Sequence, residues 1–259
     1  MPRLSALALV LAGTLLAFVP IALAAPGGSA GPRPTNDPPT LDRGNPATGQ
    51  QVFAARCASC HGSDGTGTVN GPSLLGVGAA AADFELRTGR MPSSGAPGSQ
   101  AVRKPPAFND ATIEDLVAYV SSLGPGPAIP SPRVDPATVS AGQQLFIGNC
   151  APCHGATANG GAVGGGALAP PLDQATPVEV AEALLIGPGQ MPVFSGLSDS
   201  DRNAIVSYVD FLQAADHPGG FSIGGIGPVP EGFVAWVLGL GLLLVIIVLI
   251  AHDWRREAR

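Results

Sequence analysis

The chain has 259 residues, 45% hydrophobic and only 12% charged, with a formal net charge of −6. That balance excludes a nucleic-acid binder, whose contact face needs a basic stripe. Its 36 glycines and 27 prolines imply extensive loop and linker, so the length divides into two small domains rather than one large one.

In chain order, the first predicted element, residues 1–25, is an apolar run from Leu4 to Ala25 with Arg3 ahead of it and an A-x-A-like pattern at Ala22 and Ala24. These features mark a secretory signal, while the length of the stretch also suits a retained signal anchor. Residues 26–44, rich in Pro and Gly, form a flexible lead-in.

The centre of the chain is a repeat. "GQQVFAARCASCHG", Gly49 to Gly62, recurs as "GQQLFIGNCAPCHG", Gly142 to Gly155, at an offset of 93 residues from Cys57 to Cys150. Further on, "IEDLVAYVSSL" matches "RNAIVSYVDFL" with Tyr119 and Tyr208 in register. Two copies with so long a period make a tandem domain pair, not a solenoid. The copies occupy residues 45–124 and 139–216, and each opens and closes with a predicted helix. Thr112 with Asp115, and Ser198 with Asp201, are the expected capping-box starts of the closing helices. Ile113, Leu116, Val117 and Val120 follow helical spacing, as do Ile205, Tyr208, Val209 and Leu212. Between the copies, the repeated prolines of residues 125–138 predict a semi-rigid extended spacer.

After a connector over 217–231, residues 232–252 carry an uncharged apolar run, Phe233 to Ala251, long enough to span a bilayer. Trp236 and Trp254 mark its two ends, and Arg255, Arg256 and Arg259 in the tail 253–259 place that tail in the cytoplasm. The repeats then lie on the extracytoplasmic side of the cell membrane. The resulting fold class is all-α: two small helical domains, a C-terminal transmembrane helix and an N-terminal hydrophobic segment.

All four cysteines fall in two copies of C-x-x-C-H: Cys57, Cys60, His61 and Cys150, Cys153, His154. This is the attachment signature of c-type haem. On one helical turn two thiols reach the two vinyl groups of a porphyrin and form thioethers, and the adjacent His faces the iron. Zinc would need four ligands where each copy offers three, a thioredoxin-like pair would need a βαβ setting, and a disulfide would not need the histidine twice. The cofactors are therefore two covalently bound haem c groups, filling domains too small for a large apolar core.

Apart from Met1, the chain has two methionines, Met91 and Met191, one per domain, each after the haem motif and followed by Pro. Their Gly-, Pro- and polar-rich surroundings point to axial iron ligands rather than core filler, giving His61 with Met91 and His154 with Met191. His217 and His252 read as solvated or interfacial side chains. With both irons closed by His and Met, the chemistry is electron relay, with no catalytic residue and no bond-breaking step.

Each domain resembles a class I cytochrome c. The resemblance implies that Gly49 with Phe53, and Gly142 with Phe146, sit where the first and last helices cross, facing Tyr119 and Tyr208. It also implies a Pro carbonyl accepting a hydrogen bond from each ligand His: Pro72 in "GPSL", and Pro170 in "PPL", where Pro171 competes. The full domain order resembles the di-haem cytochrome c subunits of the actinobacterial quinol:cytochrome c reductases, the cytochrome bc1 complex. That likeness implies a subunit of a translocase complex, anchored in membrane lipid. Its partners would be a cytochrome b subunit, a Rieske iron–sulfur subunit as electron donor, and an aa3-type oxidase whose copper centre accepts. The alternatives are a di-haem input subunit of another haem-copper oxidase or of a periplasmic dehydrogenase, and, against the two methionines, a di-haem peroxidase.

Charge separates the copies. From Arg133 to Asp216 there are two basic residues against eight acidic, whereas from Asp42 to Leu123 there are six against seven. The acidic excess of the second copy suggests a surface that orients a positively charged partner.

Overall fold

A computed structural model of the chain describes residues 44–93, 95, 100–214 and 228–257. The N-terminal hydrophobic segment, nearly all of the lead-in, His217 and most of the connector lie outside these residues.

The first domain is built from α1 (Pro46–Arg56), a one-turn α2 (Ala58–His61), α3 (Gly78–Arg87) and α4 (Asp110–Ser122). The second repeats the plan. After a short 3-10 turn at Pro136–Thr138 come α5 (Val139–Asn149), one-turn α6 (Ala151–His154), α7 (Pro177–Ile186) and α8 (Asp199–Gln213). Between α6 and α7 the second domain adds a small antiparallel hairpin, β1 (Gly161–Gly164) with β2 (Ala167–Ala169), pairing Gly161 with Ala169. The sequence carried no alternating apolar run there, because both strands are short and mostly solvent-facing.

Each core forms where the opening helix crosses the closing one. In both crossings a glycine allows the backbones to touch: a Cβ on Gly49 would collide with the Asp115 carbonyl, and one on Gly142 with the Ala204 carbonyl. One turn later an aromatic pair fills the crossing, Phe53 against Tyr119 with ring centroids 5.1 Å apart and Phe146 against Tyr208 at 5.3 Å. Both pairs are tilted, the arrangement that ring quadrupoles favour. Phe53, Ile113, Leu116 and Val117 are buried in the first core, and Phe146, Ile205, Val206 and Val209 in the second.

The closing helices begin differently from one another. α8 starts as expected: Ser198 accepts from the Asp201 amide while Asp201 accepts from the Ser198 amide, a reciprocal capping box. α4 starts three residues earlier than the Thr112 expectation. Its cap is Asn109, whose side chain accepts from the Thr112 amide at 2.9 Å. Asp115, freed from capping, accepts instead from the Asn45 amide at 2.6 Å and ties the start of α1 to the closing helix.

The proline-rich stretch between the domains lies on both of them rather than standing off as a spacer. The Pro127 carbonyl accepts from Ala80 at the start of α3, and further along Arg133 and Asp135 donate backbone amides to Asn203 and Ser207 of α8. Prolines remove donors, so the remaining amides of such a segment find acceptors on its neighbours.

The last helix, α9 (Pro228–Glu257), contains a span over Gly232–Arg256 long and apolar enough to cross a membrane. Its apolar side chains, Val237 through Ile250, are exposed throughout.

Candidate functional site

In both domains the C-x-x-C-H motif straddles a break between two helices. The opening helix ends at the first cysteine, and a single α-turn carries the remaining residues: Ala58–His61 in one, Ala151–His154 in the other. The histidine amide donates to the carbonyl of the first cysteine in each case, His61 to Cys57 at 2.9 Å and His154 to Cys150 at 2.8 Å. The glycine after each histidine takes a left-handed φ, +80° at Gly62 and +76° at Gly155. That conformation ends the turn and would strain any other residue. The chain then folds back: Gly67 donates to the His61 carbonyl and Gly160 to that of His154.

All four cysteines are free of disulfides. Burial, reinforced by the neighbouring Cys60, pushes the Cys57 thiol up against a smaller opposing effect of Arg56. Burial and Cys153 push the Cys150 thiol up to about 11. These environments oppose thiolate formation, unlike those of redox or catalytic cysteines.

His61 Nδ1 lies 2.8 Å from the Pro72 carbonyl, and His154 Nδ1 lies 3.0 Å from that of Pro170. Of the two adjacent prolines, Pro170 is the one in contact. A carbonyl only accepts, so each Nδ1 carries the proton and each Nε2 presents its lone pair. Burial lowers the His154 pKa, an effect partly offset by the Pro170 hydrogen bond, and so favours the neutral ring needed to donate to a metal. Residues and cofactor fit: two thiols on a turn, and an imidazole of fixed tautomer with Nε2 free.

Met91 and Met191 each lie a few residues beyond a middle helix. Met91 packs against the first core together with Cys57, Ala58 and Leu74, and Met191 against the second core, which includes Cys150. The Met91 amide donates to the Glu85 carbonyl at 2.9 Å, and the Lys104 ammonium reaches the Pro92 carbonyl at 3.2 Å. Met191 donates to Pro188, and Phe194 to Leu184 of α7. His252 lies on α9, among exposed apolar side chains.

Several positions escaped the sequence reading. Thr68 donates its hydroxyl to the Cys60 carbonyl at 2.6 Å, and a Cβ on Gly71 would meet that same carbonyl, so both brace the first haem motif. Lys104 supports the methionine loop from a segment with no periodic signal. The contacts between the domains were also missed. Arg103 makes a two-pronged ion pair with Glu179, both N–O distances 3.0 Å. The Gln100 side chain both donates to and accepts from the backbone of Leu168 on β2.

The cytochrome c family matches residues 46–124, and the family described as cytochrome c oxidase, cbb3-type, subunit III matches residues 137–209. The chain is 42% identical, over 204 residues, to the cytochrome bc1 complex cytochrome c subunit of Mycobacterium tuberculosis, covering 74% of this chain and 72% of that one. The corresponding subunit of Corynebacterium diphtheriae is 37% identical over 216 residues, covering 76% of each chain. A cbb3-type cytochrome c oxidase subunit CcoP from Azospirillum is 31% identical over 188 residues, covering 64% of this chain and 62% of that one.

Proposed function

Because the chain belongs to the cytochrome c subunits of the cytochrome bc1 complex, and carries two covalent haem c sites, we propose that it is the relay of that complex. In this reading it takes electrons from a Rieske iron–sulfur protein and delivers them to the copper centre of an aa3-type oxidase. When bound, each haem iron supplies reversible one-electron chemistry. The protein supplies attachment, orientation and closure.

Cys57 with Cys60, and Cys150 with Cys153, would attach the two cofactors, and His61 and His154 would donate Nε2 to the irons. Met91 and Met191 would each supply a second protein ligand to the iron of their domain. Pro72 and Pro170 orient the imidazoles, as partners of ligating histidines generally do. A site closed by His and Met transfers electrons and leaves no position for oxygen or peroxide. The observation that carries the reading is the doubled arrangement: each domain pairs a Nδ1-anchored histidine on the C-x-x-C-H turn with one methionine on the same core.

In this reading the span in α9 anchors the chain in the cell membrane, with Arg255, Arg256 and Arg259 at its C-terminal end on the cytoplasmic side. Anchoring replaces diffusion of a free carrier by a high effective concentration of both haems near cytochrome b, the Rieske protein and the oxidase. The chain is thus a redox component of a quinol–cytochrome c reductase translocase, with no bond-breaking chemistry of its own.

Purification in mild detergent through a tag on this chain tests the assembly. Cytochrome b, Rieske and oxidase subunits are the expected companions. Recovery with a different oxidase or a dehydrogenase, or with none of these, overturns the partner assignment while leaving the haem sites untouched. Ligation is tested separately: Met91→Ala and Met191→Ala each remove part of the weak far-red absorption of methionine-ligated ferric haem. An unchanged band in either variant removes that methionine from the ligand set.

A further inference from the structure

The middle helices of the two domains, α3 and α7, are both ten residues long and pack against one another. The sixth residue of the first is Asp83; the sixth of the second is Glu182. The corresponding sixth positions of the two middle helices therefore lie at one interface, and each bears a carboxyl. Both are buried, Asp83 at 1% exposure and Glu182 at 0%.

The surrounding charges do not balance this pair. On α3, Arg87 donates to Asp83 at 2.8 Å and also reaches Asp110 at the start of α4, with Glu114 of α4 acting on it from further away. Across the interface, Arg103 from the loop before α4 is occupied by Glu179 of α7. Glu85 in the last turn of α3 and Arg90 just beyond it act on one another at a distance, as do Arg90 and Glu179; the Arg90 guanidinium lies over the Phe84 ring, and its Nη1 is buried without a hydrogen-bond partner among the described residues. α8, which also covers α7, contributes the apolar Ile205, Tyr208 and Val209 to their shared core. Arg87 and Arg103 are each paired with another carboxylate, and among the described residues Glu182 makes no ion pair, Arg87 being the smallest of the influences on it. Asp83 Oδ2 and both oxygens of Glu182 are buried with no donor. Two ionised carboxylates cannot hydrogen-bond each other, whereas with one proton Asp83 and Glu182 lie within reach of a shared hydrogen bond.

We propose that Asp83 and Glu182 form a binding site for a single proton, and that this proton holds the two haem domains against one another. The inference rests on the interface and is independent of the methionine ligation and of the partner assignment. Burial, then repulsion from Asp83 and Glu179, pushes Glu182 up to about 10, while Asp83, also raised by burial, keeps Arg87 as its counter-ion. The sign follows from linkage. Glu182 holds its proton in the closed interface and, once exposed, reverts towards the ordinary glutamate value of about 4.3. Closure is therefore strongest below that value and weakens as pH rises towards the raised range in which the buried group ionises. Above it, two buried anions share one interface and the helices part.

The test uses the full-length, haem-loaded protein in detergent. Infrared spectra at neutral pH are expected to contain a protonated-carboxyl C=O band that shifts in D2O, fades towards alkaline pH and is missing in Glu182→Gln. In Asp83→Asn, which removes the opposing carboxylate, the band fades at lower pH. Amide exchange in α3 and α7, corrected for its intrinsic base catalysis, should lose protection in the wild type by up to about tenfold per pH unit. Glu182→Gln, neutral at every pH, should stay flat. Intact haem absorption shows that each variant has folded. A spectrum unchanged by Glu182→Gln, or parallel loss of protection in the wild type and Glu182→Gln, overturns the proposal.

Discussion

The two domains repeat one frame but differ in how they close their loops and in charge. Both share the glycine crossing, the tilted aromatic pair, the one-turn helix bearing the last cysteine and the histidine, and the His–Pro hydrogen bond. The second domain replaces the irregular loop after the first haem motif with a hairpin, buries its leading cysteine more deeply, and caps α7 with a reciprocal Thr176–Glu179 box. The first domain contributes cations, Arg87 and Arg103, where the second contributes Glu179 and Glu182. What the socket needs is the same in both, and what differs gathers where the domains meet.

That difference reshapes the charge argument. Two of the eight acidic residues counted in the second domain, Glu179 and Glu182, are buried against the first. They join the domains rather than facing a positively charged partner, so among the described residues a docking surface is left with Asp135, Asp173 and Asp199 as its exposed carboxylates.

The largest effect that would break the equivalence of the domains is truncation of an aromatic at the crossing. Phe53→Ala and Phe146→Ala should each cost about 3–5 kcal/mol, read as two similar shifts in denaturant midpoint of the haem-loaded protein. A large shift in one and none in the other would mean that the domains do not share a core. Next come Gly49→Val and Gly142→Val. Each drives a side chain into a facing carbonyl and should cost about 3 kcal/mol or prevent haem maturation in that domain alone, as counted by haem content per chain.

Arg103→Ala sharpens the comparison at the interface. Its guanidinium is a third exposed while Glu179 is buried, so stranding that carboxylate should cost about 1–2 kcal/mol, less than for a fully buried pair. The loss should show as weaker coupling between the unfolding transitions of the two domains. The smallest expected effect lies at the closing helices. Ser198→Ala removes the hydroxyl half of a two-way box and leaves Asp201 on the residue-198 amide, whereas Asn109→Ala removes the whole side-chain cap, each about 1 kcal/mol. Asn109→Ala should be the worse by a few tenths in thermal unfolding.

The contrast between the two closing helices shows how far sequence reading extends. Ser198 and Asp201 announce a start because the box is written in residues three apart. At the other helix Thr112 and Asp115 have the same spacing, yet Asn109 caps it and Asp115 is drawn to Asn45, 70 positions away. Local spacing proposes a cap, and competition from a distant donor decides whether it forms. Pro170 and Pro171 were likewise indistinguishable in sequence, because the choice depends on how the loop returns to His154.

By itself the sequence determined the two haem sockets, the helical repeat and an apolar run long enough to span a membrane. Covalent attachment needs two thiols and an imidazole on one turn, and a bilayer needs length without charge; both are local properties of consecutive residues. Only the tertiary structure decided that the linker lies on both domains, that Arg103 meets Glu179 across 76 positions, and that Asp83 faces Glu182. Periodicity records which face of a helix is apolar, but not which other helix will cover it. The proton between the domains is a consequence of that pairing.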